Sequence, residues 1–174
     1  MKFLLNLSLL KRNRNFRLLY IGQFVSLIGT MITSVAVPYQ IYQATKSTLM
    51  VGLVSLFQLI PLLFTALAGG VLADRKHRKM LLIIAEGFLA LASMVMIANA
   101  YAADLKIWLV FAVASFMAAM TGLHRPALES MVQQIVAKED FIHVGVLSSF
   151  KTSLCVIVGP AIGGLLIASF GLVV

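Results

Sequence analysis

The stretch Gly69-Gly70-Val71-Leu72-Ala73-Asp74-Arg75-Lys76-His77-Arg78-Lys79-Met80-Leu81-Leu82 packs charge densely between two long apolar runs. The upstream run extends from about residue 49 to 73 and the downstream run from about 80 to 101, each long enough as a helix to cross a bilayer. Arg75, Lys76, Arg78 and Lys79 crowd the join. Such charges are costly in hydrocarbon and favoured at an anionic cytoplasmic surface, so the stretch reads as a tight inner-face hairpin that orients both neighbours. Asp74 needs its own account. Its carboxylate can pair with Arg78 one turn on, or point at the positive start of another helix.

Composition agrees with that reading. With 61% hydrophobic residues, 11% charged residues and a mean hydropathy of +1.01, the chain has more apolar surface than a soluble core of its size can hide. A formal net charge of +8 raises nucleic acid as a partner, but the basic residues gather at the ends of apolar runs instead of along one face. Lipid is the expected partner, and no nucleic acid is expected. Cys155 is the single cysteine and sits in an apolar run, which excludes an intrachain disulfide and a cysteine metal site. No nucleophile, base and orienting group can be assembled, so an enzyme is not expected.

At roughly 20 residues per crossing plus connections, the 174 residues hold five or six spans. Five are expected, over about 18–42, 49–73, 80–101, 107–124 and 141–170, which predicts an all-α membrane protein. Residues 1–17 form a separate segment: an apolar run from Phe3 to Leu10, then Lys11, Arg12, Arg14 and Arg17. A secretory signal has the reverse order. The segment therefore reads as an interfacial stretch with a cytoplasmic basic anchor. Nine Lys/Arg lie in this tail and the 75–79 loop, against Lys46 and Lys106 in the two outer turns. That bias predicts a cytoplasmic N-terminus.

Within the spans, polar groups mark positions that should face protein or water. Gln23, Ser26, Thr30 and Thr33 share one helical face, and the Gln23 amide in particular needs partners outside its own helix. Glu86 lies about 9 Å into the third span at 1.5 Å per residue. It is either a proton-binding site or a structural partner for the basic loop below, and its nearness to the cytoplasmic end favours the second. Ser115, Ala119 and Gly122 form a small-residue strip suited to close helix contact. Arg125 and Glu129 fall i, i+4 if the helix continues past Pro126, and either can join Asp74 and Arg78 in an inner-face charge cluster. Lys151 lies about 12–15 Å into the fifth span, too deep to face lipid as an ammonium. It should face a cavity, a carboxylate or an anionic substrate. Gly159 and Gly163 give a GxxxG contact face, with a kink at Pro160.

Gly70, Leu72, Ala73, Asp74, Arg75, Arg78 and Lys79 resemble the signature loop between helices two and three of the major facilitator superfamily. His77 stands where that pattern has a second Gly. Gly159-Pro160-Ala161-Ile162-Gly163-Gly164 resembles the fifth-helix motif of the superfamily's exporters, with Cys155 in place of an earlier Gly. The wording of 4–11 and of 35–41 is similar to the enterobactin (siderophore) exporter branch. The resemblance implies a proton-coupled exporter of a small organic molecule in a bacterial inner membrane, working by alternating access, with the proton gradient and no other cofactor. It implies that Gly70, Asp74, Arg75, Arg78 and Lys79 act as a conformational gate, Asp74 meeting the start of a helix in the opposite half. Transporters of this superfamily have two six-helix halves, so five spans correspond to most of one half, with a sixth helix and a C-terminal half, or a second chain, as the missing partner. The alternative expectation is a truncated, non-transporting membrane fragment or an interaction subunit. Spans two and five would be counterparts in the superfamily's inverted repeats, and each carries a Pro followed by Gly-Gly: Pro61 with Gly69-Gly70, and Pro160 with Gly163-Gly164.

Overall fold

Proline stands inside four of the five long helices, yet each stays one helix, as membrane helices permit when neighbouring groups take up the freed carbonyls. The computed structural model describes residues 8–75, 78–102 and 104–170, and the side chains of all of these except 8, 71–75 and 170. Its elements are α1 (Ser8–Arg12), α2 (Arg14–Thr45), α3 (Thr48–Arg75), α4 (Arg78–Ala100), α5 (Ile107–Ile135), a 3-10 turn (Lys138–Asp140) and α6 (Phe141–Phe170). Among the described residues there is no strand. Among the described residues five helices are long and apolar enough to cross a membrane. The chain is an all-α, multi-pass membrane protein, as composition predicts. Pro126 does not end α5, which runs on to Ile135, so Arg125 and Glu129 do stand on one continuous helix.

Large apolar side chains point outward. On α4, Met80, Ile83, Leu91, Met94 and Ile97 are exposed, whereas the buried positions are Leu82, Ala85, Ala92 and Asn99. A water-soluble protein would not expose so much contiguous apolar surface; in a bilayer it is the lipid face, and small residues serve the inner contacts.

By its internal contacts the chain divides into two compact units, 1–35 with 132–166, and 36–131 with 167–174. In the first, Leu9, Phe16, Val136 and Leu147 form the buried core. Asn13 organises it. The Asn13 side chain accepts from Phe16 N–H at 3.1 Å, capping the start of α2, and donates to the Ile135 carbonyl at 2.9 Å at the end of α5. Arg12 pairs with Asp140. The basic tail, as far as it is described, is thus tied to the segment that leads into α6.

In the second unit Val37, Ile41, Val54, Val110 and Ala114 make the core. The α2–α3 turn is short enough to force Lys46 to a φ of 52°, a backbone region that disfavours side chains other than Gly or Asn. The α4–α5 turn is held by buried Asn99, whose amide accepts from Lys106 N–H at 3.2 Å and donates to the Lys106 carbonyl at 3.3 Å.

Candidate functional site

In the first unit, α6 meets α2 along every fourth residue: Leu147, Lys151, Cys155, Gly159 and Gly163. Tyr20 on α2 donates its hydroxyl to the Leu147 carbonyl at 2.9 Å, which fixes the ring. Cys155 is fully buried, its Sγ 3.9 Å from the Phe24 carbonyl. A Cβ on Gly159 would overlap Met31 Cβ, and one on Gly163 would touch the Ile32 carbonyl at 3.4 Å. The expected GxxxG face is therefore a contact with α2. Gly164 has nothing within 4 Å of a Cβ position and takes no part in it.

Lys151 occupies this row between two buried residues, with its Nζ 5.5 Å from the centre of the Tyr20 ring. Among the described residues no carboxylate is within ion-pair distance of it. The magnitudes decide what this contact can do. An ammonium at the centre of a membrane helix costs about 2.5–3.5 kcal/mol on insertion scales, while a ring face offsets about 0.5–2 kcal/mol. Tyr20 orients the cation and leaves part of its need for a counter-charge unmet. Tyr20 was not legible as a site residue from spacing alone, because the pairing depends on the register between two distant helices.

In the second unit, Glu86 on α4 meets His124 on α5, with His124 Nε2 2.9 Å from Glu86 Oε1. His124 is buried and Glu86 half-buried, so the pair joins the two helices inside an apolar region. His124 carried no separate signal in one dimension, but reflecting α4 onto α5 through their short turn places it within a turn of Glu86. The Arg78 guanidinium donates to the Ser130 carbonyl at 3.3 Å, linking the start of α4 to the inner part of α5. Arg125 and Glu129 are both exposed and make no ion pair with each other among the described residues. That suits their spacing: an exposed i, i+4 pair is worth only about 0.3–0.5 kcal/mol, little against the entropy of two long side chains.

The closest helix crossing in this unit lies beside the gate stretch. A Cβ on Gly122 would come within 2.8 Å of the Leu62 carbonyl and 2.9 Å of Ala66 N, and one on Gly69 within 3.0 Å of the Gly122 carbonyl. Gly122 thus acts as the small-residue strip predicts. Gly70 has nothing within 4 Å of a Cβ position. Of the remaining gate residues, the Asp74 and Arg75 side chains lie outside the described residues, as do Lys76 and His77; Lys79 follows Arg78 at the start of α4. Gln23 is buried on α2. Among the described residues no group of His, Cys, Asp and Glu could hold a metal ion.

A family described as "Transmembrane secretion effector" matches residues 7–174. The chain is similar to the Enterobactin exporter EntS of Shigella boydii serotype 18 (strain CDC 3083-94 / BS512), 31% identical over 169 residues, covering 97% of this chain and 41% of that one. It is similar over the same shares to the proteins of that name from Escherichia coli O1:K1 / APEC, at 31% identity, and Salmonella typhi, at 30%. The chain thus spans about two fifths of the length of these relatives. No solved structure matches it.

Proposed function

This chain belongs to the transmembrane secretion effector family, within the major facilitator superfamily, and from that premise we propose that it supplies the N-terminal helices of a proton-coupled exporter. The substrate is a small organic molecule of the siderophore class, moved by alternating access across a bacterial inner membrane, with the N-terminus cytoplasmic. One observation carries the reading: the similarity to proteins named as enterobactin exporters runs through 97% of the chain, and so takes in all five apolar helices.

Physical features support individual parts of the proposal. Alternating access needs a second set of helices to move against this one, supplied by a C-terminal half or a second chain. The gate residues Gly70, Asp74, Arg75, Arg78 and Lys79 would meet that partner, and Gly70, open among the described residues, leaves room for a close approach. For coupling, Glu86 and His124 form an ionisable pair within the apolar part of α4 and α5, a place where a proton can be held. The inside orientation of the gate rests on the Lys/Arg bias between turns.

The test is export by a siderophore-producing bacterium whose own exporter is deleted, carrying the complete gene. Extracellular siderophore should rise several-fold, and a protonophore should abolish the rise. Normal membrane insertion with no export of the siderophore would refute the substrate reading, and export that survives the protonophore would refute proton coupling.

A further inference from the structure

The row of α6 that packs on α2 contains four residues suited to a helix seam and one that is not. Leu147 and Cys155 are buried, and Gly159 and Gly163 admit the α2 backbone. Lys151 stands among them with three N–H donors and no hydrogen-bond acceptor among the described residues. Among the described residues the contact that orients it is the Tyr20 ring. The Tyr20 hydroxyl, donated to the Leu147 carbonyl, holds the ring in place, and among the described residues the ammonium meets the ring and not a hydrogen-bond acceptor. A face can aim a cation and cannot neutralise it.

The adjoining surface of α6 differs from most hydroxyl-bearing positions on the other helices, buried Ser115 being an exception. Thr30, Thr33, Ser55, Thr65, Ser93 and Thr121 all donate to carbonyls of their own helices. Ser148, Ser149, Thr152 and Ser153, which surround Lys151 on α6, make no such bond among the described residues, and the last three are exposed. A surface meant only for lipid would be apolar, or would turn its hydroxyls back on the backbone. Here an aimed ammonium and uncommitted hydroxyls share one stretch of helix.

We propose that Lys151, aimed by Tyr20, is an anion-reading subsite that binds the carboxylate or ionised phenol of an oxygen-rich organic anion, with the neighbouring hydroxyls of α6 bonding its remaining oxygens. This deepens the exporter reading and rests on it for the ligand's being cargo. The same anionic-oxygen chemistry exists in lipid headgroups, so the experiment separates the two sources.

Purified chain in phosphatidylcholine nanodiscs is dialysed to equilibrium against radiolabelled salicylate, with benzyl alcohol as the neutral counterpart. Wild type should bind salicylate saturably. Lys151→Met should weaken that binding about tenfold or more, as expected for losing a charged hydrogen-bond partner, while Lys151→Arg stays within about threefold. Tyr20→Leu should weaken it less than Lys151→Met does. Benzyl alcohol should partition equally into all four, and circular dichroism confirms that each is folded. Absence of salicylate binding to wild type, or equal binding to wild type and Lys151→Met, overturns the proposal. So does loss of salicylate binding when phosphatidylglycerol replaces phosphatidylcholine at an ionic strength high enough to screen the surface charge, which assigns Lys151 to a lipid headgroup. Wild-type binding without export in cells would overturn the exporter reading alone; undiminished export of an anionic siderophore by Lys151→Met would overturn the subsite alone.

Discussion

Adding one methyl group at Gly122, Gly69 or Gly70 should give three different outcomes, because the three glycines have different surroundings. At Gly122 the new Cβ would meet backbone atoms of α3, the Leu62 carbonyl at 2.8 Å and Ala66 N at 2.9 Å. Neither can rotate away, so α3 and α5 must move apart. Overpacking of this kind costs about 1–3 kcal/mol, and the better helix propensity of Ala offsets about 0.5–1 kcal/mol. Gly122→Ala should therefore destabilise the protein by roughly 0.5–2 kcal/mol, taking low from low and high from high. At Gly69 the contacts are 3.0–3.1 Å and include the Pro126 ring, so a shift of a few tenths of an ångström relieves them, and the net effect should be near zero to about 1 kcal/mol. At Gly70 no atom lies within 4 Å, and Ala should be neutral or slightly stabilising. Reversible unfolding in mixed micelles, followed by circular dichroism, gives the order. Export by the complete transporter gives the second axis: Gly70→Ala should lose export while keeping its stability, because its open side is where the partner helices would approach. Stability of Gly122→Ala equal to wild type, or Gly70→Ala as the least stable of the three, would refute the packing argument.

Replacing His124 with Ala leaves the Glu86 carboxyl without its described partner in an apolar region; since Glu86 is partly exposed, the loss should be about 1–3 kcal/mol in a thermal melt, below the cost of breaking a fully buried pair. Glu86→Gln keeps a hydrogen-bond acceptor for His124 and should cost under about 1 kcal/mol, so equal losses for the two variants would argue against the pair. Asp74→Asn should leave membrane protein level unchanged yet strongly impair export. A carboxylate at a helix start contributes about 0.3–2 kcal/mol, enough to shift a balanced two-state gate several-fold to roughly thirtyfold; wild-type export by this variant would remove Asp74 from the gate. Asn13→Ala removes the α2 cap and the bond to the Ile135 carbonyl together, and should lower stability by about 1–2 kcal/mol in the same unfolding assay.

What could be read in one dimension and what could not divides along a physical line. Span number and helical class follow from residue composition, which needs no partner: an apolar run of 20 or more residues must satisfy its backbone internally. Gly122 and the Gly159/Gly163 face were legible because close helix approach demands small residues at fixed spacing. Pairings between helices distant in the chain were not, since they depend on register: Asn13 with Ile135, and Tyr20 with Lys151; His124 with Glu86, across one short turn, needs only the reflection of α4 onto α5. The matching Pro and Gly-Gly in α3 and α6, a weak hint of internal repetition on the page, acquires a physical meaning once the contacts are known. In α3 the first glycine of the pair, Gly69, packs on α5 and the second, Gly70, is open; in α6 Gly163 packs on α2 and Gly164 is open. Each pair thus devotes one glycine to contact inside its own unit and leaves the next without a neighbour among the described residues. Packing within the chain explains only half of each pair. The open half is where a search for an external partner should begin, and Gly70, which the gate motif includes, is one of those two positions.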